Sequence, residues 1–110
     1  VLGGVGDTAD NLASAVDGEG YEFKEMYPKF VEEAEAEGND AALRSFRFAL
    51  AVEEVHHGLY EKALEAVRGG GDLPGTLIHV CPVCGNTFEG ETPDKCPVCN
   101  VPKEKFFEVK

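Results

Sequence analysis

The stretch CPVCGNTFEGETPDKCPVC, residues 81–99, contains every cysteine of this chain. Each Cys-x-x-Cys pair places two sulfur atoms on one tight turn, and the short segment between the pairs can form a hairpin that brings the two turns together. Four sulfurs held in this way form the tetrahedral set that suits iron or zinc. The sequence therefore predicts one metal site with four cysteine ligands: Cys81, Cys84, Cys96 and Cys99.

Disulfide bonds are the other interpretation of four cysteines. Paired Cys-x-x-Cys turns, the first followed by Gly85, are better explained by a metal. Nothing in the sequence has the character of a secretory segment that would direct the chain to an oxidising compartment. We therefore expect thiolates bound to a metal.

Composition and charge restrict the partners of the chain. The 110 residues, 43% of them hydrophobic, suffice for one modest domain and a small one, and no apolar run approaches the roughly 20 residues of a membrane span. The formal net charge of −11 disfavours nucleic acid and anionic membranes as partners. Metal cations or a basic redox partner fit better.

Glycine and proline divide the chain into segments. Residues 1–7 are glycine-rich and are expected to form a linker, and because position 1 is Val rather than Met we expect the latter part of something longer. A helical hairpin is predicted over 8–69, a second linker over 70–75 and a cysteine module over 76–110. The cysteine module alternates in short stretches that predict a small antiparallel sheet, too small to fold without its metal.

The helical hairpin is indicated by two periodic patterns. Apolar and small residues recur with a helical period over residues 8–37, and Gly38 ends this pattern. A second pattern runs over residues 43–67, after Asn39 and Asp40, either of which can cap a helix. The short connection predicts two antiparallel helices.

Ionisable residues fill the gaps in these apolar patterns. Glu19 and Glu22 interrupt the first pattern, and Glu53 and His56 interrupt the second. Each pair has the i,i+3 spacing that places both side chains on one side of a helix. Because burial of unpaired carboxylates costs several kcal/mol, such a cluster requires cations or large pKa shifts.

Glu53 and His56 form a Glu-x-x-His motif, which together with single glutamates from other helices is the ligand set of di-iron carboxylate bundles. Alone the motif is weak, since it is common on solvated helices. Its place on the apolar face favours metal binding. The adjacent His57 points about 100° away and is expected at the surface or behind a ligand. For Tyr27, a hydrogen bond to a ligating carboxylate and a plain core aromatic are both open.

Three motifs together carry a family resemblance: GEGYEFKEMYP at residues 18–28, Glu-Glu-Val-His at 53–56, and the paired CPVC knuckles. They closely resemble the C-terminal half of the rubrerythrin family, particularly its nigerythrin branch. The resemblance implies an α fold with a small metal-bound β part. In it, an antiparallel helical hairpin completes a ferritin-like four-helix bundle with a partner chain, followed by a rubredoxin-like domain.

The same resemblance implies roles for the ligands. Glu19 matches a terminal ligand of one iron, Glu53 a bridging carboxylate and His56 an imidazole ligand of the second iron. Glu22 matches the glutamate that the family releases when the site is reduced, which gives it a catalytic role. The four cysteines match the ligands of a rubredoxin-type iron.

The family's activity is the reduction of hydrogen peroxide to water at a non-haem di-iron site bridged by oxygen and carboxylate. Electrons come from a reductase through the rubredoxin-type iron, in the cytoplasm. We therefore expect an oligomeric oxidoreductase with two cofactors, the di-iron group and one iron bound by four cysteines.

Two departures from the family are visible. The family's first helix pair, with another glutamate and another Glu-x-x-His, is missing, so activity is expected only when a second chain supplies it; two copies sharing one site are the other arrangement. Asn86 stands where relatives usually carry an aromatic residue, and this could alter packing or potential at the tetrathiolate iron. Ferritin-like iron handling and a non-enzymatic zinc-ribbon module, in which the cysteines hold structural zinc, are the competing functions.

Overall fold

The computed structural model describes residues 5–110. Of the expected linker 1–7, residues 1–4 lie outside the described part, and residues 5–7 precede the first helix. That helix, α1, spans Thr8–Tyr21 and begins where the Asp7 side chain accepts a hydrogen bond from the Asp10 backbone amide. Asp7 thus satisfies one of the amides that the start of every helix leaves without an intrahelical partner.

The first helical arm is not a continuous α-helix. A π-helical segment spans Glu22–Met26, and a second α-helix, α2, spans Tyr27–Glu37 with Pro28 in its first turn. Pro28 fits this position because proline has no N–H to donate and is tolerated at the start of a helix. A π turn changes the direction in which side chains before and after it project.

The second helical arm, α3, spans Asp40–Arg68 without interruption. The Asn39 side chain caps it by accepting a hydrogen bond from the Ala42 amide at 3.0 Å. Between α2 and α3, Gly38 adopts the left-handed conformation with φ of 66°. The arms therefore fold back on each other as the antiparallel hairpin that the sequence predicts.

Apolar contacts hold the two arms together. Ala34, Val52 and Leu64 are buried in the hairpin. Tyr27 packs against Phe30 and Phe46, with ring centroids 6.0 and 6.3 Å away. These contacts support the interpretation of Tyr27 as a core aromatic residue. Among residues 5–110, every helix is too short or too polar to cross a membrane.

The cysteine module contains a three-stranded antiparallel sheet, as predicted. Its strands are β1 (Ile78–Val80), β2 (Thr87–Glu89) and β3 (Phe107–Glu108), in the order β2-β1-β3. A short 3-10 turn, Lys103–Lys105, leads into β3. Phe88 stacks on Phe106 with ring centroids 4.8 Å apart.

The module lies against α3. Lys62 of α3 and Glu89 of β2 form an ion pair of 3.0 Å. The Val52 side chain approaches Gly85, where an added Cβ would lie 3.8 Å from it. These contacts place the first cysteine knuckle beside the middle of α3.

Substitution by alanine should have opposite effects on the free energy of unfolding at Gly38, in the turn between α2 and α3, and at Gly18, inside α1. Gly38→Ala should lower the free energy of unfolding by about 1 kcal/mol, because alanine is strained at a positive φ. Gly18→Ala should raise it by about 0.5–1 kcal/mol, since Gly18 lies inside α1 with no atom within 4 Å of the added Cβ. Urea unfolding followed by circular dichroism checks both. Equal effects of the two substitutions would contradict the assigned turn.

Candidate metal centres

The four predicted cysteines come together at one point of the module. Their sulfur atoms all lie within 4.8 Å of one another, and all four are free thiols. The Sγ atoms of Cys81 and Cys99 are 3.5 Å apart, and those of Cys84 and Cys96 are 3.6 Å apart. A tetrahedral ion with metal–sulfur distances of about 2.3 Å requires sulfur–sulfur distances of about 3.8 Å. The cluster therefore fits a tetrathiolate metal.

The first knuckle has a simple backbone design. The Gly85 amide donates to the Cys81 carbonyl at 2.8 Å, and the Cys81 amide donates to the Asn86 carbonyl at 2.9 Å. Gly85 has a φ of 84°, which a residue without a Cβ adopts without strain. This explains the glycine that follows the first Cys-x-x-Cys pair.

The second knuckle repeats that design. The Asn100 amide donates to the Cys96 carbonyl at 2.8 Å, and the Cys96 amide donates to the Val101 carbonyl at 2.9 Å. Asn100, with a φ of 67°, takes the place of the glycine; asparagine tolerates this conformation better than most residues. The two knuckles are thus related by an approximate two-fold repeat.

Burial and backbone amides act in opposite directions on the thiols. Burial raises the pKa of the Cys96 thiol, but hydrogen bonds from the Cys99 and Val98 amides and from neighbouring thiols outweigh it and lower the pKa to about 7. Burial raises the pKa of the Cys84 thiol far above its usual range, although the Asn86 amide opposes this. A metal that binds all four sulfurs must therefore displace protons, and binding releases them.

A second cluster lies between the helical arms. Glu19 of α1 and Glu53 and His56 of α3 place their ligand atoms within 4.8 Å of one another. His56 Nδ1 is 3.6 Å from Glu53 Oε2 and 3.9 Å from Glu19 Oε2. Both of these carboxylate oxygens are buried and have no hydrogen-bond partner in the part of the chain that the structure describes. Because an unpaired buried carboxylate is costly, this donor set fits a bound cation.

The other ring nitrogen of His56 faces the cysteine module. His56 Nε2 is 3.0 Å from the Gly85 carbonyl and 3.1 Å from Thr87 Oγ1. A carbonyl can only accept, so Nε2 carries the proton and donates to Gly85. When the ring is neutral, this hydrogen bond leaves the lone pair on Nδ1, which faces Glu19 and Glu53. The hydrogen bond therefore prepares His56 to bind a metal through Nδ1.

Glu22 lies outside this cluster. It is half-buried and begins the π-helical segment, while its own backbone amide still donates to the Gly18 carbonyl as in a regular α-helix. The i,i+3 spacing therefore places Glu22 on the same side of the helix as Glu19 without bringing both carboxylates to one point. The structure thus brings together three of the four helical side chains that the sequence indicates.

His57 and His79 have different surroundings. The His57 side chain is only 11% exposed, its Nδ1 lies 3.0 Å from Glu61 Oε1, and its ring packs on Phe23. His57 is therefore not a surface residue, one of the two positions expected from its direction on the helix. Its ring lies next to Gly20, where the lack of a side chain leaves room for it. His79 lies in β1, and its buried Nδ1 has no hydrogen-bond partner among residues 5–110.

Sequence reasoning missed the partners of His56. Gly85 and Thr87 follow it by about 30 positions, and no local pattern joins a helix to a distant knuckle. Asn86 is noticeable in the sequence only as a departure from a family pattern. In the structure it is 3% exposed and contacts the thiols directly.

Comparisons with known proteins cover both metal centres. The family model described as "Rubrerythrin" matches residues 4–64, and that described as "Rubrerythrin, rubredoxin-like domain" matches residues 79–107. Rubrerythrin-2 of Clostridium acetobutylicum is 38% identical over 97 residues, which are 88% of this chain and 53% of that protein. Nigerythrin of Nitratidesulfovibrio vulgaris is 40% identical over 96 residues, 87% of this chain and 46% of that protein.

Solved structures also resemble this chain. The structure titled "Fully reduced state of nigerythrin (all ferrous)" superposes with a TM-score of 0.86 at 35% identity. The match covers 96% of this chain and 50% of that one. The chain thus spans about half the length of the curated relatives it matches.

Metal removal should unfold the cysteine module selectively. Its few strand residues bury too little apolar surface to fold without the metal. We expect the Gly90 and Val109 amides, which donate to Leu77 and Ile78, to lose at least about tenfold of their protection against hydrogen exchange after chelation. The Asn39 amide at the helical turn serves as the control. Unchanged protection at Gly90 and Val109 would show that the sheet is stable without metal.

Proposed function

Since this chain belongs to the rubrerythrin family, whose members carry a di-iron site and a rubredoxin-type iron, we propose that it is half of a non-haem iron peroxidase. The reaction is the reduction of hydrogen peroxide to water at the di-iron site. Electrons reach that site through the iron bound by the four cysteines.

His56 is the observation that carries this proposal. Its Nδ1 faces the carboxylates of Glu19 and Glu53. Its Nε2 donates to the carbonyl of Gly85, the residue that follows the ligand Cys84. The His56 side chain therefore connects the carboxylate cluster to the residue that follows a cysteine ligand. The path from Cys84 to His56 consists of covalent bonds and one hydrogen bond, a short connection for electron transfer.

The two iron groups divide the chemistry of the reaction. When bound, the di-iron group supplies the two electrons that convert one peroxide and two protons into two waters, and the tetrathiolate iron carries electrons one at a time. In this proposal Glu19, Glu53 and His56 hold iron, and His56 keeps its orientation through Gly85. Thr87 supports that orientation from the side.

Glu22 is proposed as the ligand that moves with the redox state. It is half-buried at the first position of the π-helical segment and lies outside the cluster of Glu19, Glu53 and His56. π turns are frequent at functional sites. A carboxylate in this position can join or leave the site while the three clustered residues stay in place.

The helical centre is proposed to be completed by a second helix pair. Three clustered ligands are too few for two iron ions, and a four-helix di-iron bundle draws ligands from all four helices. The pair would come from another chain or from a second copy of this one, so the active form would be an oligomer. An electron-donating reductase completes the proposed cytoplasmic system. A purely structural zinc module would leave the buried carboxylates of Glu19 and Glu53 unexplained.

Metal content and chain composition of the natively purified protein test this assembly. We expect about three irons per copy of this chain together with a distinct partner chain. About two irons per copy without a partner would point to two copies that share one di-iron site. One zinc per copy and no iron would contradict the peroxidase and favour the structural module.

The adjacent residues Glu53 and Glu54 allow a matched test of the helical centre. Glu53 has a buried orphaned oxygen, whereas Glu54 is exposed. In the iron-loaded assembly, Glu53→Gln should lower the rate of peroxide consumption at least about tenfold, because a neutral amide binds iron poorly. Glu54→Gln should leave the rate within about twofold of the original.

The visible absorption of the tetrathiolate iron provides the folding control for both variants, since it reports the cysteine module alone. Peroxide consumption that is unchanged in Glu53→Gln would place the reaction elsewhere. Iron that remains bound without peroxide turnover in the unmodified assembly would favour ferritin-like iron handling.

A further inference from the structure

Asn86 contacts the thiols of both knuckles. Its backbone amide donates to Cys84 Sγ at 3.4 Å, and its side-chain Nδ2 lies 4.0 Å from Cys96 Sγ. The residue is 3% exposed, so water does not compete for its amide group. A buried amide needs partners for both its oxygen and its nitrogen.

The orientation of the Asn86 amide follows from its neighbours. Its Oδ1 accepts a hydrogen bond from the Thr87 backbone amide at 3.1 Å. The flipped orientation would place the NH₂ group against that N–H, donor against donor. The side-chain nitrogen therefore faces Cys96, whose sulfur can accept.

The two knuckles differ at the position of Asn86. In the approximate two-fold repeat, Val101 of the second knuckle corresponds to Asn86 of the first, because each accepts the amide of its knuckle's first cysteine at 2.9 Å. The side chain of Val101 is apolar and has no hydrogen-bond donor. Cys96 thus gains a side-chain amide that the repeat does not supply to the other half of the cluster.

We propose that Asn86 is a positioning residue that raises the reduction potential of the tetrathiolate iron through its side-chain amide. The inference rests on the proposed function only in taking iron as the metal of the four cysteines. One electron converts the ferric centre to the ferrous one, and the charge of the iron with its four thiolates changes from −1 to −2. The positive end of an N–H dipole aimed at a sulfur stabilises the more negative state.

The location of Asn86 connects this effect to the second centre. Asn86 lies between Gly85 and Thr87, the two residues that contact His56 Nε2. The same three-residue segment therefore orients the imidazole and polarises the thiolates. By changing the reduction potential of the tetrathiolate iron, Asn86 would change the driving force for electron transfer from that iron towards His56.

The test is a mediated redox titration of the iron-loaded full chain, followed by its visible absorption. Asn86→Leu has nearly the same volume without the amide, and we expect its ferrous-to-ferric ratio at a fixed potential to fall several-fold. A tenfold fall corresponds to about 59 mV for one electron. Val101→Ile, which alters packing at the corresponding apolar position, is the control and should leave the ratio within about twofold.

An unchanged ratio in Asn86→Leu would overturn the proposal, as would equal shifts in both variants, which would indicate a general packing effect. The titration involves no peroxide, so failure of the peroxidase function and failure of this inference are distinguishable.

A second measurement uses the unmodified chain and covers the case in which Asn86→Leu does not fold. With ¹¹³Cd in place of iron, a scalar coupling between the metal and the Asn86 side-chain amide protons reports an N–H···S hydrogen bond directly. We expect this coupling, with none to the methyl protons of Val101. Its absence in a protein that shows the backbone coupling from the Asn86 amide to the metal would overturn the proposal.

Discussion

The hydrogen bond from His56 to the Gly85 carbonyl connects the two parts of this protein. It joins the middle of a long helix to the turn of a cysteine knuckle, and it fixes which ring nitrogen carries the proton. Without it the imidazole could present either nitrogen to the carboxylates. With it the lone pair of Nδ1 points at Glu19 and Glu53, and the buried oxygens of those residues define a place for a cation.

The parts on either side of this bond are built by different means. The helical hairpin depends on apolar contacts and on capped ends, so its core contains Ala34, Val52 and Leu64. The cysteine module has only short strands and depends on the geometry of its knuckles, in which Gly85 and Asn100 adopt a positive φ so that four sulfurs converge. The Lys62–Glu89 ion pair is a further contact between the two parts.

Some features of the fold and of the metal sites could be predicted from the sequence and others could not. The difference is whether a feature depends on residues that are close together in the sequence or far apart. The knuckles, the caps and the Glu53–His56 pair depend on spacings of two to four residues, and the sequence was sufficient to locate them. The spacing of Glu19 and Glu22 is just as short, yet only Glu19 joins the cluster, because a shared side of a helix does not determine where each carboxylate ends. The contacts of His56 with Gly85 and Thr87 depend on how the module docks, which no local pattern contains.

The proposed electron route and the proposed second helix pair place different demands on the structure. Efficient electron exchange between the two proposed iron centres would require a short, rigid connection, and the segment from Cys84 through Gly85 to His56 offers one. Carboxylate ligands can come from different helices, since a side chain from any adjacent helix can complete a coordination sphere. The groups that the proposal requires to be held precisely with respect to each other are therefore joined by the His56–Gly85 hydrogen bond, whereas the remaining ligands need only lie on helices that pack beside this hairpin.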